Sequence, residues 1–176
     1  MKPLRPEGRR LLSQFVKNQN LNVFPKCKLD SPLTTNLKHL DLSENAFQQF
    51  PESILLFENL NTLFLNNNQL SKIPDSINKL NSLEHLDLRH NKFNQFPTNI
   101  LQKLPSLKHL NIDHFYETPF YFDQTKTSEV YAFLDAINES PSLKSISVNS
   151  ALKDEWFPKY FFSAKSGLCK TYVMDD

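Results

Sequence analysis

Three consecutive stretches of this chain repeat one pattern: LKHLDLSENAFQQFPESILLFEN from Leu37, LNTLFLNNNQLSKIPDSINKLNS from Leu60 and LEHLDLRHNKFNQFPTNILQKLPS from Leu83. A fixed period of 23 or 24 residues means stacked units that bury their apolar faces against one another, not a single globular core. Four apolar-proline pairs, Phe24-Pro25, Phe50-Pro51, Ile73-Pro74 and Phe96-Pro97, keep the same time along the chain.

The spacing has a physical logic. Leu40 and Leu42, Leu63 and Leu65, and Leu86 and Leu88 alternate with polar residues at period two. Each pair thus points inward from a short strand whose neighbouring residues face out. Asn45, Asn68 and Asn91 fall at one equivalent position after each strand, where a short amide bonds the backbone groups that a sharp turn leaves unpaired. They are predicted to form a structural ladder. Pro51, Pro74 and Pro97 cannot donate to a strand ladder, so they belong where the chain returns along the far side.

The unit LxxLxLxxNxLxx[IF]PxxI resembles the leucine-rich repeat, and its length resembles the short type found in small bacterial proteins. The resemblance implies an α/β solenoid. A curved parallel sheet lines the concave side, and short helices, 3-10 turns and extended segments form the convex side. The match is strong over 37–106 and looser outside. Residues 1–36 read as a flank with a divergent first repeat, in which Leu11, Val16, Leu21, Phe24 and Pro25 fit the template without a clean ladder asparagine. The repeats divide as 37–59, 60–82, 83–106, a long unit 107–142, and a partial unit 143–150. In the long unit Thr127 or Ser128 caps a helix that places Val130, Phe133, Leu134 and Ile137 on one face. Residues 151–176, with Trp156, Phe157, Tyr160, Phe161 and Phe162, read as an aromatic C-terminal cap or as a surface for a partner. The segment FYETPFYFDQTKT after Asp113 interrupts the pattern and is a candidate partner loop. Together these units make one structural domain.

Composition excludes several classes. With 176 residues, 39% hydrophobic residues and only 2 Gly, the chain is neither disordered nor collagen-like. Its net charge of +1 is uneven. Seven Lys or Arg lie in 1–28 against Glu7 alone, yet they make no long cationic run with interleaved aromatics, so no nucleic-acid partner is expected. Cys27 and Cys169 are too few and too far apart for the disulfide-rich caps of extracellular relatives. The apolar run Leu11-Leu12 is too short for a signal peptide, and no segment reaches the ~20 apolar residues of a membrane span. The expected location is the cytoplasm, or outside it by a route without a recognisable signal peptide.

Residues flanking the strand leucines face outward. Read across the coils they give His39, Asp41 and Ser43; Thr62, Phe64 and Asn66; His85, Asp87 and Arg89; His109, Asn111 and Asp113; and Ser145, Ser147 and Asn149. All five histidines fall on this face or its rim. Phe64 stands where adjoining coils carry Asp41 and Asp87, and burying it would throw Leu63 and Leu65 outward. It is therefore predicted to be exposed, as an anchor for a protein partner. The predicted contact residues are His39, Asp41, Phe64, Asn66, His85, Asp87, Arg89, His109, Asn111 and Asp113. His85 and His109 lie on adjacent strands, but a flat row gives no convergent geometry for a metal, and no metal or other cofactor is expected. With no Gly-rich phosphate loop, no Cys-His pair and no paired carboxylates in a cleft, no catalytic residue and no enzymatic activity are expected.

The resemblance points to a protein–protein interaction module. Its abundance of Lys, Asn, Phe and Ile is similar to small bacterial repeat proteins, some of them virulence-associated and acting on host cells. An intracellular scaffold or regulatory subunit of an enzyme is the first alternative, and a metal-binding or catalytic domain is the last. An end coil left uncovered also allows self-association.

Overall fold

The structure is a computed structural model that describes residues 17–24, 36–93, 99–112, 132, 135–137, 139–148 and 171–173. Asp113, the FYETPFYFDQTKT segment, the helix start near Thr127 and the aromatic run 156–162 lie outside the described residues. Among the described residues six strands form one parallel sheet in chain order: β1 His39–Asp41, β2 Thr62–Phe64, β3 His85–Asp87, β4 His109–Ile112, β5 Ser145–Val148 and β6 Thr171–Val173. The last falls inside the segment read from sequence as a cap.

Register follows the repeat. Leu40 pairs with Leu63, Leu63 with Leu86, Leu86 with Leu110 and Leu110 with Ile146, so every inward residue stacks on its equivalent one coil away. All five are essentially inaccessible to solvent. One continuous core runs along the stack behind the sheet, from Phe24 to Ile146. Phenylalanines thicken it on the convex side. Phe47 and Phe57 are fully buried, and Phe24 meets Phe57 edge-on with ring centroids 6.3 Å apart.

The return path depends on one residue of length. In the 23-residue coils, 3-10 turns Glu52–Leu56 and Asp75–Lys79 follow Pro51 and Pro74, whose fixed φ angles of −76° and −74° set the entry. Their exits bond Phe57 N–H to Ile54 O and Leu80 N–H to Ile77 O, three residues back. The third coil carries one more residue, and the bond becomes Leu104 N–H to Ile100 O, four residues back. That places a short α-helix, α1 Asn99–Lys103, at the equivalent site. Lys103 and Asn99 both reach Asp75 on the previous coil, and the ammonium foremost holds that exposed carboxyl below its usual range. In the long unit Ala132, Asp135, Ala136, Ile137 and Glu139 are helical, with Ala136 and Ile137 buried. No described helix is long and apolar enough to cross a membrane.

The asparagines tie the coils together. Asn68 donates Nδ2 to Leu65 O in its own coil and to Leu42 O in the coil before, both at 3.0 Å, while its Oδ1 accepts Phe47 N–H at 3.1 Å. Asn91 repeats the arrangement with Leu88 O, Leu65 O and Leu70 N–H. Asn45 accepts from Gln19 N–H and Leu21 N–H, which brings residues 17–24 into the stack as the turn of an earlier coil. There Gln19 occupies the ladder position, and its amide returns to Lys17 O at 3.2 Å as Asn45 does to Ser43 O. The residue before each ladder position is left-handed: Asn18, Glu44, Asn67 and His90, with φ between 54° and 57°. This sharp reversal exposes the carbonyls that the amides satisfy.

Asn68→Ala is expected to lower stability by about 1 to 3 kcal/mol, because a buried donor–acceptor set loses its partner. Asn78→Ala on the exposed convex turn is expected to stay within about 0.5 kcal/mol. Urea unfolding of both variants checks the difference.

Candidate protein-binding face

Parallel pairing lines up the outward side chains in two rows. The first holds His39, Thr62, His85, His109 and Ser145, and the second holds Asp41, Phe64, Asp87 and Asn111. Neighbours within a row are about 4.8 Å apart because that is the spacing of the strands. His39 and His85 are exposed, and His109, Asp41, Asn111, Asn66 and Arg89 are half-buried. Phe64 keeps 37% of its surface open, and among the described residues only Val23 is another large apolar side chain left exposed.

Some positions read as outward are instead used by the fold. Thr62 and Ser43 are buried, and Asp87, expected among the contact residues, is only 4% exposed. The reason is local. Asp87 Oδ1 accepts the backbone N–H of Arg89 at 3.1 Å, and its carboxylate also takes the Arg89 guanidinium, with Nη2 to Oδ2 at 2.9 Å. Asn111 Nδ2 bonds the same Oδ2 at 3.2 Å. Asp41 accepts Ser43 N–H at 3.0 Å and the Ser43 hydroxyl in the same way. An aspartate in the second row is thus a turn-former bonding the residue two places on. Phe64 has no carboxylate to offer that turn, and its ring faces solvent instead.

The C-terminal half of the face has its own electrostatics. The His85 and His109 rings are stacked, with centroids 4.4 Å apart and planes 11° from parallel. His109 Nδ1 lies 2.6 Å from Ser145 Oγ on the next strand. Partial burial, then the neighbouring His85, Lys144 and Lys108, holds His109 below the usual imidazole range, against the opposing pull of Glu84. Glu84 pairs with Lys108 at 2.7 Å, and chiefly that hydrogen bond lowers its carboxyl. Stacked rings point their in-plane nitrogens along parallel planes, so the pair does not converge on one ion. Among the described residues no three His, Cys, Asp or Glu side chains gather into a metal site. Asp113, His114 and Asn149 lie outside the described residues.

Sequence reasoning missed Ser145 as the partner of His109, the Lys108–Glu84 pair, and the left-handed Glu44, Asn67 and His90. The last had a readable signal, since each stands immediately before a ladder asparagine.

Two family models described as leucine-rich repeat match residues 58–114 and 36–56. The chain is similar to a leucine-rich-repeat protein of Leptospira interrogans of known structure. The two share 30% identity and a TM-score of 0.52 over 73% of this chain and 29% of that one. It is also 39% identical over 68 residues to a Drosophila melanogaster leucine-rich repeat and calponin homology domain-containing protein, a stretch covering 39% of this chain and 8% of the fly protein. With the parallel sheet, the repeat register and the asparagine ladder, these matches show that residues 36–56 and 58–114 are leucine-rich repeats in a solenoid fold. Such repeats generally mediate protein–protein interaction. The chain spans well under two thirds of either relative.

Phe64→Asp is expected to fold with stability within about 1 kcal/mol of the parent, because it restores the turn-forming carboxylate and empties no core. Asp87→Ala is expected to cost about 1 to 3 kcal/mol by stranding the Arg89 N–H and Asn111 amide. Thermal melts of the two variants check both.

Proposed function

We propose that this chain is a protein-binding module whose contact surface is the concave face around Phe64. The observation that carries the reading is the Phe64 ring: it is exposed in a row whose neighbouring coils hold turn-forming aspartates, and it is no member of the core. Aromatic side chains ringed by polar residues are the usual anchors of protein interfaces. His39, Asp41, Asn66, His85, Arg89, His109 and Asn111 surround it with hydrogen-bonding groups and both signs of charge. Asp87 supports the surface from below by holding the Arg89 guanidinium.

The narrower form of the proposal is a bacterial protein that engages a host protein. It is supported by the short repeat, the Lys-, Asn-, Phe- and Ile-rich composition and the likeness to the Leptospira interrogans repeat protein. A second reading, an intracellular scaffold, is favoured by the fly relative, whose name joins such repeats to a calponin homology domain.

The test is affinity capture with the parent, Phe64→Asp and the convex-face variant Lys72→Ala, followed by binding measurements with the protein recovered. Phe64→Asp is expected to weaken binding at least about tenfold, or roughly 1.4 kcal/mol, with Lys72→Ala unchanged. Equal binding by Phe64→Asp and the parent, with loss in Lys72→Ala, contradicts the proposal. Recovery from host or from bacterial lysate separates the two readings.

A further inference from the structure

The corner of the concave face beyond Phe64 is built from three successive coils, and its charge depends on two imidazoles. We propose that His85, His109, Ser145, Lys108 and Lys144 form the seat for a carboxylate-rich segment of the protein partner, so that partner binding takes up protons. This deepens the protein-binding reading and rests on it.

Charge accounting singles out the corner. Lys108 and Lys144 stand beside Glu84, a sum of +1, and protonating His85 and His109 would bring it to +3. Glu84 is engaged by Lys108, and Asp87 in the second row by Arg89 and Asn111, so both carboxylates nearest the imidazoles already have cationic or amide partners. Lys144 is exposed and has no ion pair among the described residues. Among the described residues an anionic group arriving here therefore meets donors from three neighbouring coils, and finds Lys144 not already paired with an acid.

The stack explains why an acidic partner and protons would arrive together. Partial burial foremost, then the His85 ring stacked 4.4 Å away with Lys144 and Lys108, disfavours the charged form of His109 in the free protein. A partner carboxylate reverses the balance by placing negative charge against both rings. The complex then holds protons at a higher pH than the free protein does. Affinity accordingly rises as pH falls through the complex's imidazole range and levels off below that of the free protein. Ser145 gives the geometry a fixed point, since its hydroxyl occupies His109 Nδ1 and leaves the other ring nitrogen as the one to face a partner.

A protein segment fits better than nucleic acid. Among the described residues the cations occupy one corner, not a track, and no Phe, Tyr or Trp side chain is described among them to stack a base. An extended acidic peptide crossing β3, β4 and β5 needs about 10 Å to reach all three.

The test uses three labelled probes on the whole chain: a ten-residue glutamate peptide, its glutamine counterpart and a ten-nucleotide thymidine oligomer, at pH 5.5 and 7.5. Glutamate side chains remain largely ionised at pH 5.5. Fluorescence anisotropy is expected to show the glutamate peptide binding at least tenfold tighter at pH 5.5 than at 7.5, and tighter than either other probe. NMR is expected to place the shifts at His85, His109 and Lys144, with the His109 titration midpoint raised by the peptide. His85→Gln with His109→Gln should flatten the pH dependence, and Lys144→Glu should weaken binding at both pH values, each checked as folded by circular dichroism. Equal binding of the glutamine peptide, absence of binding, shifts elsewhere, or tighter binding of the oligomer overturns the proposal. The convex-turn variant Asn78→Ala leaves this probe's binding within twofold, and the Phe64-centred reading is tested apart from it on the captured partner with Phe64→Asp, so the two failures are read separately.

Discussion

Everything in this molecule hangs on an amide side chain that serves two coils at once. Asn68 satisfies carbonyls of Leu42 and Leu65 and an N–H of Phe47, groups that a left-handed turn would otherwise bury unpaired. The same duty falls to Asn91 one coil further, and Asn45 binds the turn before. Longer side chains reach the site less completely. Gln19, at the outer end of the row, is itself exposed and returns its amide to carbonyls of its own turn.

A turn fixed this tightly dictates what the sheet can display. Because each coil repeats the last in register, outward residues fall into straight rows at strand spacing. Such a face is broad and shallow, suited to contact with another macromolecule and poorly suited to enclosing a small substrate. Its chemistry then depends on which row positions the turns have left free. Asp41 and Asp87 are committed to their own turns, whereas Phe64, His39 and His85 are not.

The strands, their pairing and the ladder are legible in the repeat itself, since leucines at period two and one asparagine per coil have few other uses. Phe64 is legible for the same reason, as an apolar residue out of phase with the core. Asp87 is not, because periodicity reports which side of a strand a residue lies on and not what its side chain bonds two places later. Likewise the His85–His109 stack and its Ser145 contact depend on ring orientation, which no spacing encodes. The exchange of a 3-10 turn for α1 is visible in the sequence only as one extra residue, a difference small enough to pass for noise.

The central claim is that a partner sits on the concave face over Phe64. A photo-crosslinking phenylalanine analogue placed at position 64, and in a separate protein at the convex position 78, tests it most directly once irradiated with the captured partner. A covalent adduct is expected from position 64 and none from position 78. An adduct from position 78 alone would move the binding surface to the convex side and contradict the account.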